Sequence, residues 1–284
     1  MLKFRNILKT IREYFSPNPN QMLLSSKVET LRDELLKNCQ YAIERLKTSK
    51  NLIEKGVQAV LSIAKETSSS SEDVVSYNNP EPDKISIKKT DDISKNALDI
   101  ELRYKDKIIN DIYSVIHGDL YQEWEHCLYG ILGEGYIYYL SIGDPRLRLR
   151  LKGLRPTLEV SDIYTHIVEE VKDSVRGYEE LFKKTRDLYK VEEPELSKEI
   201  QKQVQIRHIF QHNRGQIRKK DLNDIGISGP DACIYILNEE GESKPRKEND
   251  YIDLSLPEIQ NFYDTIEKYS EAFLIQAQSV ETGT

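Results

Sequence analysis

Apolar residues recur at spacings of three and four over long stretches of this chain, which is the spacing of one face of an α-helix. The first stretch consists of Val28, Leu31, Leu35, Cys39, Ala42 and Leu46, and it resumes at Val57, Val60, Leu61 and Ala64. Just ahead of it, Ser26 and Glu29 form the S-x-x-E pattern of a capping box, which favours the start of a helix. We therefore predict an amphipathic helix or a helical hairpin over this region.

The same periodicity continues further along the chain. Ile100 to Ser141 is rich in Tyr, Ile and Leu and predicts two helices with a break near His117-Gly118. Leu158 to Tyr189 predicts another long amphipathic helix. Helices therefore account for most of the predicted elements in this part of the chain.

Two further helices are marked by their end signals. One runs from Glu195 to about Asn213, because Pro194 suits the first helical position and Gly215 stands where a left-handed C-cap belongs. The last is opened by a second capping box, Ser255 with Glu258, and is traced by an apolar face.

We predict an all-α fold with at most one small β insertion, a hairpin that pairs Cys233–Leu237 with Tyr251–Leu254. The serine- and proline-containing stretch at 67–96 has few large apolar residues and predicts a linker or mobile loop. It separates an N-terminal helical segment at 1–66 from a helical domain at 97–284.

Composition limits the class of protein. The chain has 284 residues and a net charge of −7, and no apolar stretch reaches the roughly 18 residues of a membrane-spanning helix. Its N-terminus, MLKFRNILKTIREYF, mixes basic with apolar residues and lacks the continuous apolar region of a secretory signal, so we expect a cytoplasmic protein with no membrane partner. Three widely separated cysteines predict neither a disulfide framework nor a zinc site.

The segment Gln205 to Lys220, QIRHIFQHNRGQIRKK, is strongly basic within this acidic chain. It contains no acidic residue and carries two of the five histidines, His208 and His212. Its cationic side chains are Arg207, Arg214, Arg218, Lys219 and Lys220. A local positive patch of this kind is suited to an anionic partner such as RNA.

The order of residues in this segment resembles the signature of a known family. Arg207 and His212 form R-x4-H, which is followed by Asn213-Arg214-Gly215 at the predicted end of a helix. This pattern is similar to that of the HEPN superfamily (higher eukaryotes and prokaryotes nucleotide-binding domains), whose members are helical bundles. The resemblance covers about Ile100 to Gln278 by architecture and does not explain the N-terminal region.

The resemblance implies a metal-independent endoribonuclease whose site forms between two domains. It implies no cofactor and no metal, with His212 as acid or base and Arg207 as a clamp on the scissile phosphate. It further implies that His208 orients the site and that Asn213 supports the turn or the phosphate. Some HEPN toxins have a tyrosine two residues after the histidine, which a partner enzyme modifies. This chain has Arg214 there, so that mode of control is not expected.

Other interpretations of the same residues stay open at the sequence level. Arg207 can instead form a structural ion pair, and His212 can simply stabilise a helix C-terminus. His208 and His212, four residues apart, could bind a metal, but no cysteine or carboxylate stands nearby at ligand spacing. Gly130, Gly133 and Gly135 form G-x-x-G-x-G without the Lys-Ser/Thr of a phosphate loop.

A second basic run, PRLRLRLKGLRP from Pro145 to Pro156, alternates leucine with cationic residues. In an extended conformation its cations would share one face. The run predicts either a track for an RNA backbone or a charged edge strand. The cations that would bind RNA are Arg146, Arg148, Arg150 and Lys152.

The sequence thus predicts an RNA endonuclease of the toxin or antiviral-defence kind. On an ideal helix Arg207 and His212 diverge by about 140°, so we expect a homodimer to complete the site. The alternatives are a non-catalytic helical module that binds RNA or an acidic protein, and an accessory subunit controlled by a separately encoded antitoxin or defence protein.

Overall fold

The computed structural model describes residues 23–69, 106–142 and 169–282. Helices take up 75% of the residues it describes, and a two-stranded antiparallel sheet is joined to them, so the all-α class is confirmed. The elements are α1 (Leu24–Ser69), α2 (Asp106–Ser141), α3 (Tyr178–Tyr189), α4 (Pro194–Asn213), α5 (Lys219–Asp224), β1 (Cys233–Leu237), β2 (Ser243–Lys247) and α6 (Leu256–Thr282).

Three long helices, α1, α2 and α6, form the centre of the fold. Helix α1 is antiparallel to α2, because Asn38 bonds to Glu123 at 2.9 Å while Arg45, further along α1, meets Asp119, earlier on α2, at 3.8 Å. It is antiparallel to α6 as well, since its first turn contacts the C-terminal turn of α6 through Ser25 Oγ, which donates to Glu281 at 2.6 Å. The predicted N-terminal segment therefore shares one core with the C-terminal helices.

Helix α1 is one unbroken helix, and its first half carries the predicted apolar stripe. Val28, Leu35, Cys39, Ala42 and Leu46 are all buried. The predicted capping box at Ser26 and Glu29 is wrong, because the helix begins two residues earlier, at Leu24. In this first turn the backbone N–H and the hydroxyl of Ser25 donate to Glu281 of α6, and a local capping pattern carries no information about that contact.

Helix α2 runs without interruption through His117 and Gly118, so the predicted break there is wrong. Packing accounts for the continuity, because His117 is almost fully buried and bonds to Gln203 of α4. The predicted helix at Leu158–Tyr189 is also wrong in part. Its residues 169–173 are helical, but a turn that ends at Gly177, with φ +86°, separates them from α3. Residues 158–168 lie outside the described part.

The hairpin pairs β1 with β2 and not with Tyr251–Leu254, so the predicted partner strand is wrong. In the register, Tyr235 lies opposite Pro245, while Ile234 and Ile236 point into the core. The polar strand β2 is tolerated because it is an edge strand, where a proline costs no ladder bond and charged residues keep the edge soluble. Ile252 and Leu254, within the predicted strand, are buried in the core without joining the sheet.

Several predictions fall on residues outside the described part. They are residues 1–22 of the predicted N-terminal segment, residues 70–96 of the predicted linker, and the whole basic run at 145–156 with Arg146, Arg148, Arg150 and Lys152. Residues 67–69 belong to the last turn of α1. The domain boundaries at 66 and 97 stay predictions. Among the helices described, none combines the length and the apolar character needed to cross a bilayer.

Candidate functional site

The basic segment singled out in the sequence forms the second half of α4 and the turn after it. Helix α4 begins at Pro194, one residue before the predicted start at Glu195, and ends at Asn213 as predicted. Arg214 takes the left-handed C-cap conformation with φ +53°, and Gly215 follows with φ +87°. The predicted left-handed turn is present, but an arginine occupies its first position.

The turn after α4 is fastened to the segment that leads into α6. The N–H of Ile252 donates to the carbonyl of Gly215 at 2.9 Å, and the N–H of Ile217 donates to the carbonyl of Asp250 at 2.9 Å. A Cβ at Gly215 would lie 3.2 Å from the ring of Phe210. Both this close packing and the positive φ of Gly215 therefore favour glycine at this position. The end of α4 is therefore a rigid position in the fold.

A buried carboxylate, Asp221 of α5, organises this turn from inside. It accepts hydrogen bonds from the Asn213 side-chain amide at 2.9 Å, from the Arg218 backbone N–H at 2.7 Å and from the Gln205 amide at 3.3 Å. The amide of Asn213 is thus occupied in holding the turn. Sequence reasoning missed Asp221, although an acidic residue at the third position of a helix is a recognisable capping signal.

Arg207 is half-buried and lies over an aromatic ring. Its Cζ atom is 4.1 Å from the centroid of the Tyr121 ring on α2. Among the described residues, no carboxylate oxygen lies within 4 Å of its guanidinium, so the structural ion pair that the sequence left open has no partner there. No acid in the described part of the chain therefore takes up the hydrogen-bond donors of this guanidinium.

The two histidines of the segment differ in exposure. His212, in the last turn of α4, is exposed, while His208 is half-buried with its ring centroid 6.2 Å from that of His212. Burial lowers the pKa of His208, and the charges of Arg207 and His212 lower it further. A neutral His208 can accept a hydrogen bond as well as donate one. This suits the orienting role that the resemblance implies for it.

One turn before Arg207, α4 is bonded to α2 through a second pair of residues. The buried side chain of His117 contacts Gln203, with 2.8 Å between Nε2 and Oε1. Because the Gln203 amide nitrogen donates to Glu199 and Glu258, its oxygen is left to accept the proton of His117 Nε2. Burial lowers the pKa of His117 to about 4, so this histidine is neutral near pH 7.

The polar network continues from Gln203 to the hairpin. Glu258 is fully buried and accepts the N–H of Leu237 at 2.7 Å, while Lys202 lies 2.9 Å from its other oxygen. The backbone N–H of Glu258 donates to Ser255 Oγ at 3.1 Å, so Ser255 caps α6 as predicted. The carboxylate of Glu258, however, does not take the place expected in a capping box. It instead contacts residues of α4 and β1 and so connects them to α6.

Four cationic residues surround the end of α4. Arg214, Arg218, Lys219 and Lys220 are all exposed, and none of them forms an ion pair with a described residue. Together with Arg207 they make the end of α4 a positive surface, here called the α4 cationic end. Within the described ranges no three potential metal ligands are gathered at one point.

Comparison with known proteins finds no matching family model, no matching curated protein and no matching solved structure. The chemistry of the site is therefore argued from its own residues. The α4 cationic end offers a permanently charged, donor-rich guanidinium and an exposed imidazole on a rigid helix end.

Proposed function

We propose that this chain is a HEPN-type endoribonuclease. In the proposed reaction the ribose 2′-oxygen of the RNA attacks the adjacent phosphorus, and the bond from that phosphorus to the 5′-oxygen of the next nucleotide breaks. The principal support is the state of Arg207, which is half-buried over Tyr121 with no carboxylate partner in the described part of the chain. Burying part of a cation without a counter-ion is costly, and such an arrangement is typical of a group that receives an anion from a ligand.

The reaction needs a base, an acid and a group that stabilises charge on the phosphate, and the two residues of α4 suit these roles when two copies of the helix contribute to one site. A base must take the proton of the 2′-hydroxyl while its oxygen attacks the phosphorus. The 5′-oxygen then leaves and must be protonated, and the product is a 2′,3′-cyclic phosphate. An imidazole such as that of His212 can serve as base or acid near neutral pH, and the guanidinium of Arg207 can stabilise the extra charge on the phosphate oxygens.

The metal-independence of the reaction follows from this division of roles. A guanidinium is charged at every relevant pH and donates two parallel hydrogen bonds to phosphate, which is the charge stabilisation that a metal supplies in other nucleases. The exposed cations of the α4 cationic end would hold the neighbouring phosphates. In this account the protein works as a homodimer, and a separately encoded antitoxin or defence protein controls it.

The proposal is tested by incubating the purified protein with a 5′-labelled single-stranded RNA and a hairpin RNA in the presence of a chelator. We expect cleavage in the chelator, with 3′ ends that resist phosphatase until acid opens the cyclic phosphate. An RNA with 2′-deoxy residues at the cleavage position should bind and remain intact. Cleavage that requires magnesium, or that proceeds on the deoxy substrate, would contradict the mechanism.

Binding without cleavage by the wild-type protein would favour the alternative, a non-catalytic RNA-binding module. Retention of an acidic protein in place of RNA would favour an interaction module of another kind. Both alternatives use the exposed cations, and neither gives a role to His212 as a titrating group.

A further inference from the structure

Helices α2 and α4 are joined by two pairs of side chains that repeat at helical spacing. His117 and Tyr121 stand four residues apart on α2, and Gln203 and Arg207 stand four residues apart on α4. The first pair meets at 2.8 Å and the second at 4.1 Å. Residues at this spacing share one helix face, so the two contacts are neighbours and the helices run parallel here.

The ring of Tyr121 is itself held in place. It is 2% exposed, and its centroid lies 5.5 Å from that of Tyr178, the first residue of α3. Its hydroxyl donates to Glu125 at 3.3 Å, and the Tyr178 hydroxyl accepts the indole N–H of Trp124 at 2.9 Å. The surface beneath Arg207 is therefore a fixed part of the core.

An aromatic ring leaves Arg207 in a different state from the one a carboxylate would produce. A carboxylate would neutralise the cation and accept its N–H groups. A cation–π contact leaves the charge of the guanidinium in place and does not accept its N–H groups in the plane as a carboxylate would, so within the described residues no acid takes up these donors. Glu125 accepts the hydroxyl proton of Tyr121 and forms no ion pair with Arg207, so it does not neutralise the guanidinium by direct contact.

We infer that Tyr121 is a positioning residue for Arg207 and that its ring holds the guanidinium with its donors directed at the scissile phosphate of RNA. This inference rests on the proposed function and assigns to it a residue outside the R-x4-H segment. The neighbouring contact between His117 and Gln203 fixes the approach of the two helices, and with it the height of Arg207 over the ring.

The test compares Tyr121→Leu, which removes the ring, with Tyr121→Phe, which removes only the hydroxyl. Tyr136→Leu, at a half-buried tyrosine of the same helix, is a control for the loss of a tyrosine ring from α2 away from Arg207. The first readout is the NMR resonance of the Arg207 side-chain Nε–H, assigned with Arg207→Lys. We expect a ring-current shift in the wild type and in Tyr121→Phe, and its loss in Tyr121→Leu alone.

The second readout is the single-turnover rate of RNA cleavage in a double-mutant cycle. We expect Tyr121→Leu to lower the rate by at least about tenfold in the wild-type background and to have no further effect on Arg207→Ala, because Tyr121 acts through Arg207. Tyr136→Leu should lower the thermal midpoint without this coupling. An additive effect of Tyr121→Leu in both backgrounds would overturn the inference.

The two readouts separate the failure of this inference from the failure of the proposed function. An unchanged Arg207 resonance in Tyr121→Leu overturns the inference whether or not the protein cleaves RNA. If Tyr121→Leu loses the resonance shift but the wild-type protein neither cleaves nor binds RNA, the contact between Tyr121 and Arg207 would be established. Its role in catalysis would be overturned.

Discussion

At the scale of single residues, the proposed site combines an exposed histidine, His212, with an arginine, Arg207, that lies over an aromatic ring. Arg207 and His212 lie on one helix end, as the R-x4-H spacing predicts, and His212 is exposed. Arg207 differs from it, because its side chain is half-buried and lies over Tyr121. Tyr121 is distant from Arg207 in the sequence. The spacing of the tyrosines does not distinguish a ring that contacts an arginine from a ring that only packs in the core.

His117 supplies a prediction about pH. Its pKa is lowered to about 4 by burial, with a further lowering by Lys202 and Arg207, so the unfolded protein binds a proton at a higher pH than the folded one. The neutral form of His117 therefore contributes its full stabilisation to the folded protein above about pH 6.5. This contribution is lost as the pH falls from about 6.5 to about 4. Over this interval the loss is on the order of 3 kcal/mol.

The measurement is the free energy of unfolding by urea at pH 7 and at pH 4.5. We expect His117→Gln to lower stability at pH 7 and to show a smaller fall between the two pH values than the wild type. His126→Gln, which changes an exposed histidine of the same helix, should keep the wild-type fall. Equal pH dependence in His117→Gln and the wild type would contradict the assignment.

At the scale of elements, periodicity predicted where helices occur, and tertiary contacts decided where they begin, break and end. Helix α4 has its boundaries where Pro194 and Gly215 indicate them, because these signals act locally. The partner of β1 could not be predicted in this way. Ser243–Lys247 is as polar as a loop and becomes a strand only because it lies at an edge, next to a short turn.

The glycines of α2 test the continuity of that helix. Gly118 lies mid-helix, and a Cβ there would meet nothing within 4 Å, so Gly118→Ala should stabilise the protein by roughly 0.5–1 kcal/mol. Gly135 differs, because its Cβ would lie 2.6 Å from Leu188 Cδ2 and 2.9 Å from the buried Tyr189 ring. Gly135→Ala should destabilise the protein by about 1–2 kcal/mol through overpacking.

Thermal or urea unfolding of the two variants checks this prediction directly. A destabilised Gly118→Ala would indicate that α2 does bend or break near His117.

Close packing explains two glycines of the G-x-x-G-x-G pattern. Gly130 and Gly135 lie inside α2, where side chains of α1 and α3 approach its backbone.

At the scale of the whole molecule, we expect the proposed site to be completed by a second copy of the chain. Arg207 faces Tyr121 of α2, while His212 stands about 140° further around α4 on an ideal helix. A two-fold axis beside the α4 cationic end would bring both residues of each copy into one cleft. We therefore expect the protein to elute at twice 33.1 kDa and its activity per chain to fall on dilution.

Mixing of inactive variants tests the shared cleft. A dimer of one Arg207→Ala chain with one His212→Ala chain keeps one intact arginine and one intact histidine in the cleft. We expect co-refolded mixtures to cleave RNA faster than either variant alone. If each chain had a complete site of its own, both chains of the mixture would lack a required residue and no activity would return.

The basic run at 145–156, outside the described residues, is predicted to contribute to affinity and not to chemistry. Replacing Arg146, Arg148 and Arg150 together with alanine should weaken RNA binding and reduce the slope of log affinity against log salt by about 2, since each phosphate contact on a single strand contributes about 0.7. The cleavage rate at saturating RNA should stay unchanged. An unchanged salt slope would mean that the run does not contact RNA.

The most direct test of the account is the rate of RNA cleavage by His212→Ala and Arg207→Ala, beside His126→Ala as a folded control with an exposed histidine removed. The account predicts that each α4 variant loses about 10²–10⁴ in rate while keeping its fold and mass, since an acid–base group or a phosphate clamp contributes that much. The control should cleave as the wild type does. Wild-type rates in both α4 variants would contradict the proposed function.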